Sequence, residues 1–140
     1  MPEPRSAVIP AHRYRNTPAA LNWLCQVLGF TLHAVYEGEK GTIGHAELTL
    51  GNGMIMLGSA KDDEYGRGFK PPQDLDGIET RSVYLVVPDA DAVYARAVAA
   101  EAMIVRSLHD TPYGSREFAV KDLEGHSWSV GTYDPWVPRE

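Results

Sequence analysis

An α+β fold built from two βαβββ modules is what the sequence predicts, and three observations carry it. Asp122-Leu123-Glu124-Gly125-His126-Ser127-Trp128-Ser129-Val130-Gly131 reads as a turn leading into a terminal strand. Leu50-Gly51-Asn52-Gly53-Met54-Ile55-Met56-Leu57-Gly58 repeats that logic upstream: a strand ends, a glycine turn reverses the chain, and a short apolar strand closes on glycine. Residues 5–58 and 80–132 each parse as strand, helix and three strands, a length that fits two copies of one supersecondary unit rather than a solenoid. With 140 residues, 44% hydrophobic and 23% charged, residues 1–140 suit one domain. Loop 59–79 is expected to join module 1, residues 5–58, to module 2, residues 80–132.

The first strand is predicted over Ala7–Tyr14, with Pro10 marking an edge because it cannot donate to a ladder. Asn16 or Thr17 caps a helix over 17–28, Pro18 fits its first turn, and Gly29 supplies the left-handed stop. Leu21, Leu24 and Leu28 recur at helical spacing and face a sheet, Asn22 and Gln26 face water, and Trp23 flanks the core. Phe30–Tyr36 is the second strand, with His33 on the surface. In His45-Ala46-Glu47-Leu48-Thr49-Leu50 polar and apolar residues alternate, so His45, Glu47 and Thr49 share one face and Ala46, Leu48 and Leu50 the other.

Residues 59–79 show no period and are rich in charge, glycine and proline, as lids and linkers are. Tyr65 and Phe69 are their only aromatics. Arg81–Val87 opens the second copy. Asp89 or Asp91 caps a helix over Ala90–Ala100, with Val93 and Val98 burying one side. Strands over Met103–Leu108 and Ser115–Lys121 flank the turn residues Asp110–Gly114, and Trp136 in the tail is expected to pack down.

Composition removes several classes of function. A formal net charge of −6 argues against nucleic acid and anionic membrane as partners, since both need clustered Lys and Arg. No run approaches the roughly 18 apolar residues of a membrane span, and the N-terminal Met-Pro-Glu-Pro-Arg-Ser lacks an apolar leader, so a cytoplasmic protein is expected. The single Cys25 excludes an internal disulfide and a cysteine-cluster zinc site, and reads as a small core residue.

The segment Asp122-Leu123-Glu124-Gly125-His126-Ser127-Trp128 resembles the Asp-Pro-x-Gly-x-x-Trp motif of the vicinal oxygen chelate superfamily, with leucine in place of proline. This superfamily contains glyoxalase I, extradiol dioxygenases, fosfomycin-resistance enzymes and bleomycin-binding proteins. Asn16–Phe30 is similar to its first helix. The resemblance implies that the two modules form a half-open barrel around a cleft, often in a homodimer. In metal-using members it also implies four ligands, one from the first and one from the last strand of each module. Those positions fall on Ile9, Met56, Ser82 and Ser129, none of which is a usual ligand of the family's divalent ions. The expectation is therefore a site with no metal and no cofactor.

The leading expectation is a member that binds a small organic molecule in the cleft, drug sequestration included. Arg13, His45, Glu47 and Thr49 offer polar anchors, Met54, Met56 and Tyr84 offer the wall, and Ser129 completes the expected ligand-binding set. Set against it is plain core filling by Met56 and Tyr84 and a solvated strand face at 45–49. His126 and Trp128 are expected to hold the turn and core. The competing class is an enzyme, a lyase, isomerase or dioxygenase, with Glu47 as general base or as ligand of a relocated metal. His45 would then be a second ligand, and His126 or Glu117 a third. No nucleophile turn or phosphate-cradling glycine motif supports other chemistry.

Overall fold

Pro10 sets the start of the first sheet. In the computed structural model, which describes residues 5–138, strand β1 spans Ala11–Tyr14 and pairs in parallel with β4, Gly53–Ser59. The expectation drawn from the N-terminal Met-Pro-Glu-Pro run falls outside the described residues. The Pro10 carbonyl accepts from Met56 N, but its ring carries no N–H, so the strand begins four residues later than the predicted Ala7. The antiparallel strands β2, Thr31–Glu37, and β3, Ile43–Leu50, complete the order β1-β4-β3-β2. Module 2 repeats the plan: β5, Val83–Val86; β6, Met103–Asp110; β7, Arg116–Lys121; and β8, Ser127–Gly131, in the order β5-β8-β7-β6. The two sheets do not close on each other by strand pairing.

Each helix follows its first strand. Helix α1, Thr17–Trp23, is capped by Asn16, whose side chain accepts from Ala19 N at 3.2 Å. The predicted helix over 17–28 is not α throughout: Leu24–Leu28 winds as a π-helix and ends at Gly29, φ +87°, where an L side chain would be strained. Helix α2, Ala90–Ala99, is capped by Asp89, which accepts from Ala92 N at 3.0 Å. Its buried stripe is Ala90, Val93 and Ala97, and Val98 is exposed, contrary to expectation. Five residues beyond Val93, Val98 has rotated off the face that Ala97, at i+4, still shares. Trp136, expected to pack down, is instead 89% exposed, in a tail after Gly131 that belongs to no strand or helix. No helix among the described residues is long and apolar enough to cross a membrane.

One hydrophobic core serves both modules, with Leu24, Leu28, Leu48 and Leu57 from the first and Phe118, Val120, Trp128 and Val130 from the second. A carboxylate sits at their junction. Asp122, 7% exposed, accepts from Tyr14 Oη at 2.5 Å, Trp128 Nε1 at 3.0 Å, and the backbone N–H groups of Glu124 and His126, each at 3.0 Å. Burial and this neighbouring carboxylate push the Tyr14 phenol well above its ordinary pKa, so it stays a donor. Glu124, in the same turn, accepts from Arg15 N at 2.6 Å and Asn16 N at 2.8 Å, which ties the entry of α1 to module 2. The outer edge of β1 is closed by side chains: Arg81 Nη2 donates to Ala11 O at 2.8 Å, and His126 Nε2 to Arg13 O at 3.0 Å.

His12 lies inside this junction, stacked on Trp128 at 4.9 Å between ring centroids and edge-on to His126 at 4.7 Å. Its Nδ1 is buried and finds no hydrogen-bond partner among the described residues. Burial, reinforced by His126 and Arg81, lowers its pKa from 6.5 to about 3.

Two stability predictions follow from the junction. Asp122→Ala strands two side-chain and two backbone donors, and should cost about 3–5 kcal/mol by urea denaturation. A cost under about 1 kcal/mol would mean that the carboxylate contributes little. For His12 the unfolded ring binds a proton below pH 6.5 while the folded ring stays neutral to about pH 3, so its contribution is full above pH 6.5 and is lost as pH falls through that window. Between pH 7 and pH 5 the wild type should lose about 2 kcal/mol more than His12→Phe. Parallel pH profiles of the two proteins would contradict the assignment.

Candidate functional site

The alternation in β3 separates two faces as predicted. Ala46 and Leu48 are buried, while His45, Glu47 and Thr49 are half-exposed on the side away from the core. Register extends that open face across the sheet: Glu47 pairs with Met56, Thr49 with Met54, and Met56 with Ala11, two residues before Arg13. Five of the predicted site residues, Arg13, His45, Glu47, Thr49 and Met56, are therefore brought onto one surface. Tyr84 and Ser129 pair with each other on the second sheet, where Tyr84 Oη donates to Tyr133 O at 2.8 Å. Burial raises the Tyr84 pKa.

Chemistry on the open face centres on Glu47. His45 Nε2 lies 2.9 Å from Glu47 Oε2, and His33 Nε2 lies 3.9 Å from Oε1. His33, expected as a plain surface residue, comes there through a β-bulge. The register skips it between Leu32 and Ala34, so His33 and Ala34 both stand opposite Glu47. Tyr36 adds a ring 5.9 Å from that of His45. Strand alternation alone carries no sign of such an insertion. Neither residue proposed as a third metal ligand joins the pair. His126 is buried and bonded to Glu79 and Arg13 O, and Glu117 on β7 accepts from Tyr113 Oη at 3.0 Å. Among the described residues no group of three or more His, Cys, Asp or Glu is arranged to hold a metal ion.

The register also moves the positions matched to the family's ligands. Ala11, not Ile9, stands beside Met56, and Tyr84, not Ser82, beside Ser129. Counting back from the helix started the first strand too early, because Pro10 delays it.

The linker covers a second region. Between β1, residues 65–75 and residues 78–81 lies a cavity of about 350 Å3, which takes in Arg13 alone of the predicted set. Arg13 Nη1 donates to Ser59 O at 3.1 Å, and its guanidinium lies 5.8 Å from the Tyr65 ring and 5.7 Å from the Phe69 ring. Below it, His126 Nδ1 contacts Glu79 Oε2 at 2.8 Å, and Glu79 Oε1 accepts from Ser127 N at 2.6 Å. Both nitrogens of His126 thus lie within hydrogen-bond distance of protein oxygens. Sequence reasoning picked out the two linker aromatics and Arg13 without joining them, because contacts between a strand and an aperiodic loop leave no periodic signal.

Comparison with known proteins agrees with the fold and with the turn motif. The sequence profile of the Glyoxalase/Bleomycin resistance protein/Dioxygenase superfamily matches residues 11–130. An uncharacterized protein of Mycobacterium bovis is 34% identical over 94 residues, 67% of this chain and 61% of its own length, so the chain spans about three fifths of that relative. TioX from Micromonospora sp. ML1 superposes with a TM-score of 0.69 at 30% identity, over 90% of this chain and 97% of TioX. Lactoylglutathione lyase from Agrobacterium tumefaciens shares the fold alone, with a TM-score of 0.63 at 18% identity over 92% of this chain and 94% of the lyase. With its profile match, its duplicated module and the Asp122–Trp128 turn, the chain belongs to the Glyoxalase/Bleomycin resistance protein/Dioxygenase superfamily.

Proposed function

We propose that this chain is a metal-independent member of its superfamily that binds a small organic molecule on the open face of its sheets, holding it as drug-sequestering relatives do. The observation that carries the proposal is the donor chemistry at the register positions. Where the resemblance implies metal ligands, Ala11 stands beside Met56 and Tyr84 beside Ser129. A methyl, a thioether, a phenol and a hydroxyl do not fit a divalent ion that wants imidazole or carboxylate. The same positions suit an organic ligand: Met56 and Tyr84 give adaptable and aromatic wall, and Arg13, His45, Glu47, Thr49 and Ser129 give polar anchors. A homodimer in the cytoplasm, with open faces from two copies closing one cleft, belongs to this proposal.

The 2.9 Å contact between His45 and Glu47 favours a second reading, a metal-free isomerase in which Glu47 is the general base. The two readings separate on turnover. A sequestering protein returns its ligand unchanged, whereas an isomerase loses activity in Glu47→Gln while keeping affinity.

Elemental analysis after dialysis should find no stoichiometric zinc, manganese or iron; a full equivalent lost on mutating His45 or Glu47 would overturn the metal-independent reading. In calorimetric titration with a hit from a thermal-shift screen, Glu47→Ala should weaken a donor-bearing ligand by about 1–3 kcal/mol. Its folding stability should change by no more than about 0.5 kcal/mol, since Glu47 is partly exposed. Equal affinities would remove Glu47 from the site. Light scattering at micromolar concentration should give the mass of a dimer, and a monomer would remove the shared cleft.

A further inference from the structure

The cavity under the linker has a chemical character of its own. Arg13, Lys70 and Arg81 border it, and the only carboxylate among its lining residues, Glu79, is already engaged by His126 and Ser127 N. In a chain of net charge −6 this wall is cationic. The cations keep donors free: Arg13 and Arg81 each use one terminal nitrogen on a carbonyl, and Lys70 makes no side-chain hydrogen bond or ion pair among the described residues.

Apolar surface meets that charge. Tyr65, Phe69, Leu75 and Ile78 all line the cavity and all remain exposed, Tyr65 at 70% and Ile78 at 64%. Exposed apolar side chains gathered around a concavity mark a binding surface, since their contact with water costs about 25 cal/mol per Å2. Tyr65 and Phe69, 5.0 Å apart between centroids, both face the Arg13 guanidinium and so present a stacking wall beside a cation. His12 also borders the cavity and carries a buried Nδ1 without a partner.

We propose that this cavity is a second ligand site, distinct from the open face and sharing only Ala11 and Arg13 of β1 with it, and that it takes a small aromatic carboxylate. The carboxylate pairs with Lys70 and Arg81 at the rim, and the ring lies against Phe69, Leu75 and Ile78. A volume of about 350 Å3 sets the size, because it is at the low end for ligand pockets and holds one or two fused rings. Direct pairing with two exposed cations makes binding weaken with salt.

Titration of 2-naphthoate into the full chain, by calorimetry and by amide chemical-shift mapping, tests the site. The expected result is saturable binding with shifts concentrated in residues 65–81. Affinity should fall about tenfold in Lys70→Met, in Phe69→Ala, and for the uncharged analogue 2-naphthalenemethanol. Arg81→Gln should do the same; should that variant fail to fold for want of its bond to Ala11 O, Lys70→Met decides alone, since Lys70 holds no side-chain hydrogen bond or ion pair among the described residues. The proposal is overturned if 2-naphthoate does not bind at millimolar concentration, if acid and alcohol bind equally, or if Lys70→Met binds as the wild type does. Shifts confined to residues 43–50 would also overturn it, because they would put the acid on the open face.

Discussion

One turn, with its buried carboxylates Asp122 and Glu124, holds the two modules in their relation. Asp122 takes four donors, one from module 1 and three from its own module, and has no exposed oxygen chemistry left to share. A buried charge is tolerable only when it is fully hydrogen-bonded, and the low local dielectric that penalises an unpaired carboxylate strengthens each of these bonds. The turn that presents it depends on Gly125, whose φ of +92° would strain an L side chain and whose added Cβ would press on Pro72 at 3.3 Å. Through Glu124 the same turn fixes the start of α1, and through His126 it fixes the edge of β1. A motif that resembles a family signature is, in this chain, a clasp.

The clasp explains why β1 can be an edge strand without being an open one. Its outward carbonyls at Ala11 and Arg13 are taken by a guanidinium and an imidazole, so no neighbouring strand can add there. The residues that block the edge, Arg81 and His126, also line the linker cavity, which makes that cavity a product of module docking rather than of either module. His12 pays the cost of this arrangement as a neutral ring held among aromatics, with one nitrogen unsatisfied.

Much of this was legible in the sequence, and what was not has identifiable physical reasons. The modules, both helix caps and the two faces of β3 follow from local rules: short polar caps at Asn16 and Asp89, glycine at the helix stop, and a two-residue period in residues 45–50. Those signals reside in neighbours along the chain. The bulge at His33 depends on how β2 pairs with β3, and the Arg13 clamp depends on where an aperiodic loop returns. Val98 and Trp136 failed for another reason: hydrophobicity suggests burial, yet a large share of any folded surface is apolar, so a single apolar residue at a helix flank or in a tail carries little information.

The two candidate regions differ most in electrostatics, and that difference limits what each can do. On the open face a carboxylate stands between two partly exposed imidazoles, a group that accepts from donors. Under the linker, arginine and lysine outnumber one engaged carboxylate, and guanidinium charge does not vary over the physiological range. Arg13 belongs to both, but its stacking on Tyr65 and Phe69 and its bond to Ser59 O turn it toward the linker. The chain therefore carries two regions of opposite charge character, one around Glu47 and one bordered by Arg13, Lys70 and Arg81, on a scaffold supplied by duplication of one module.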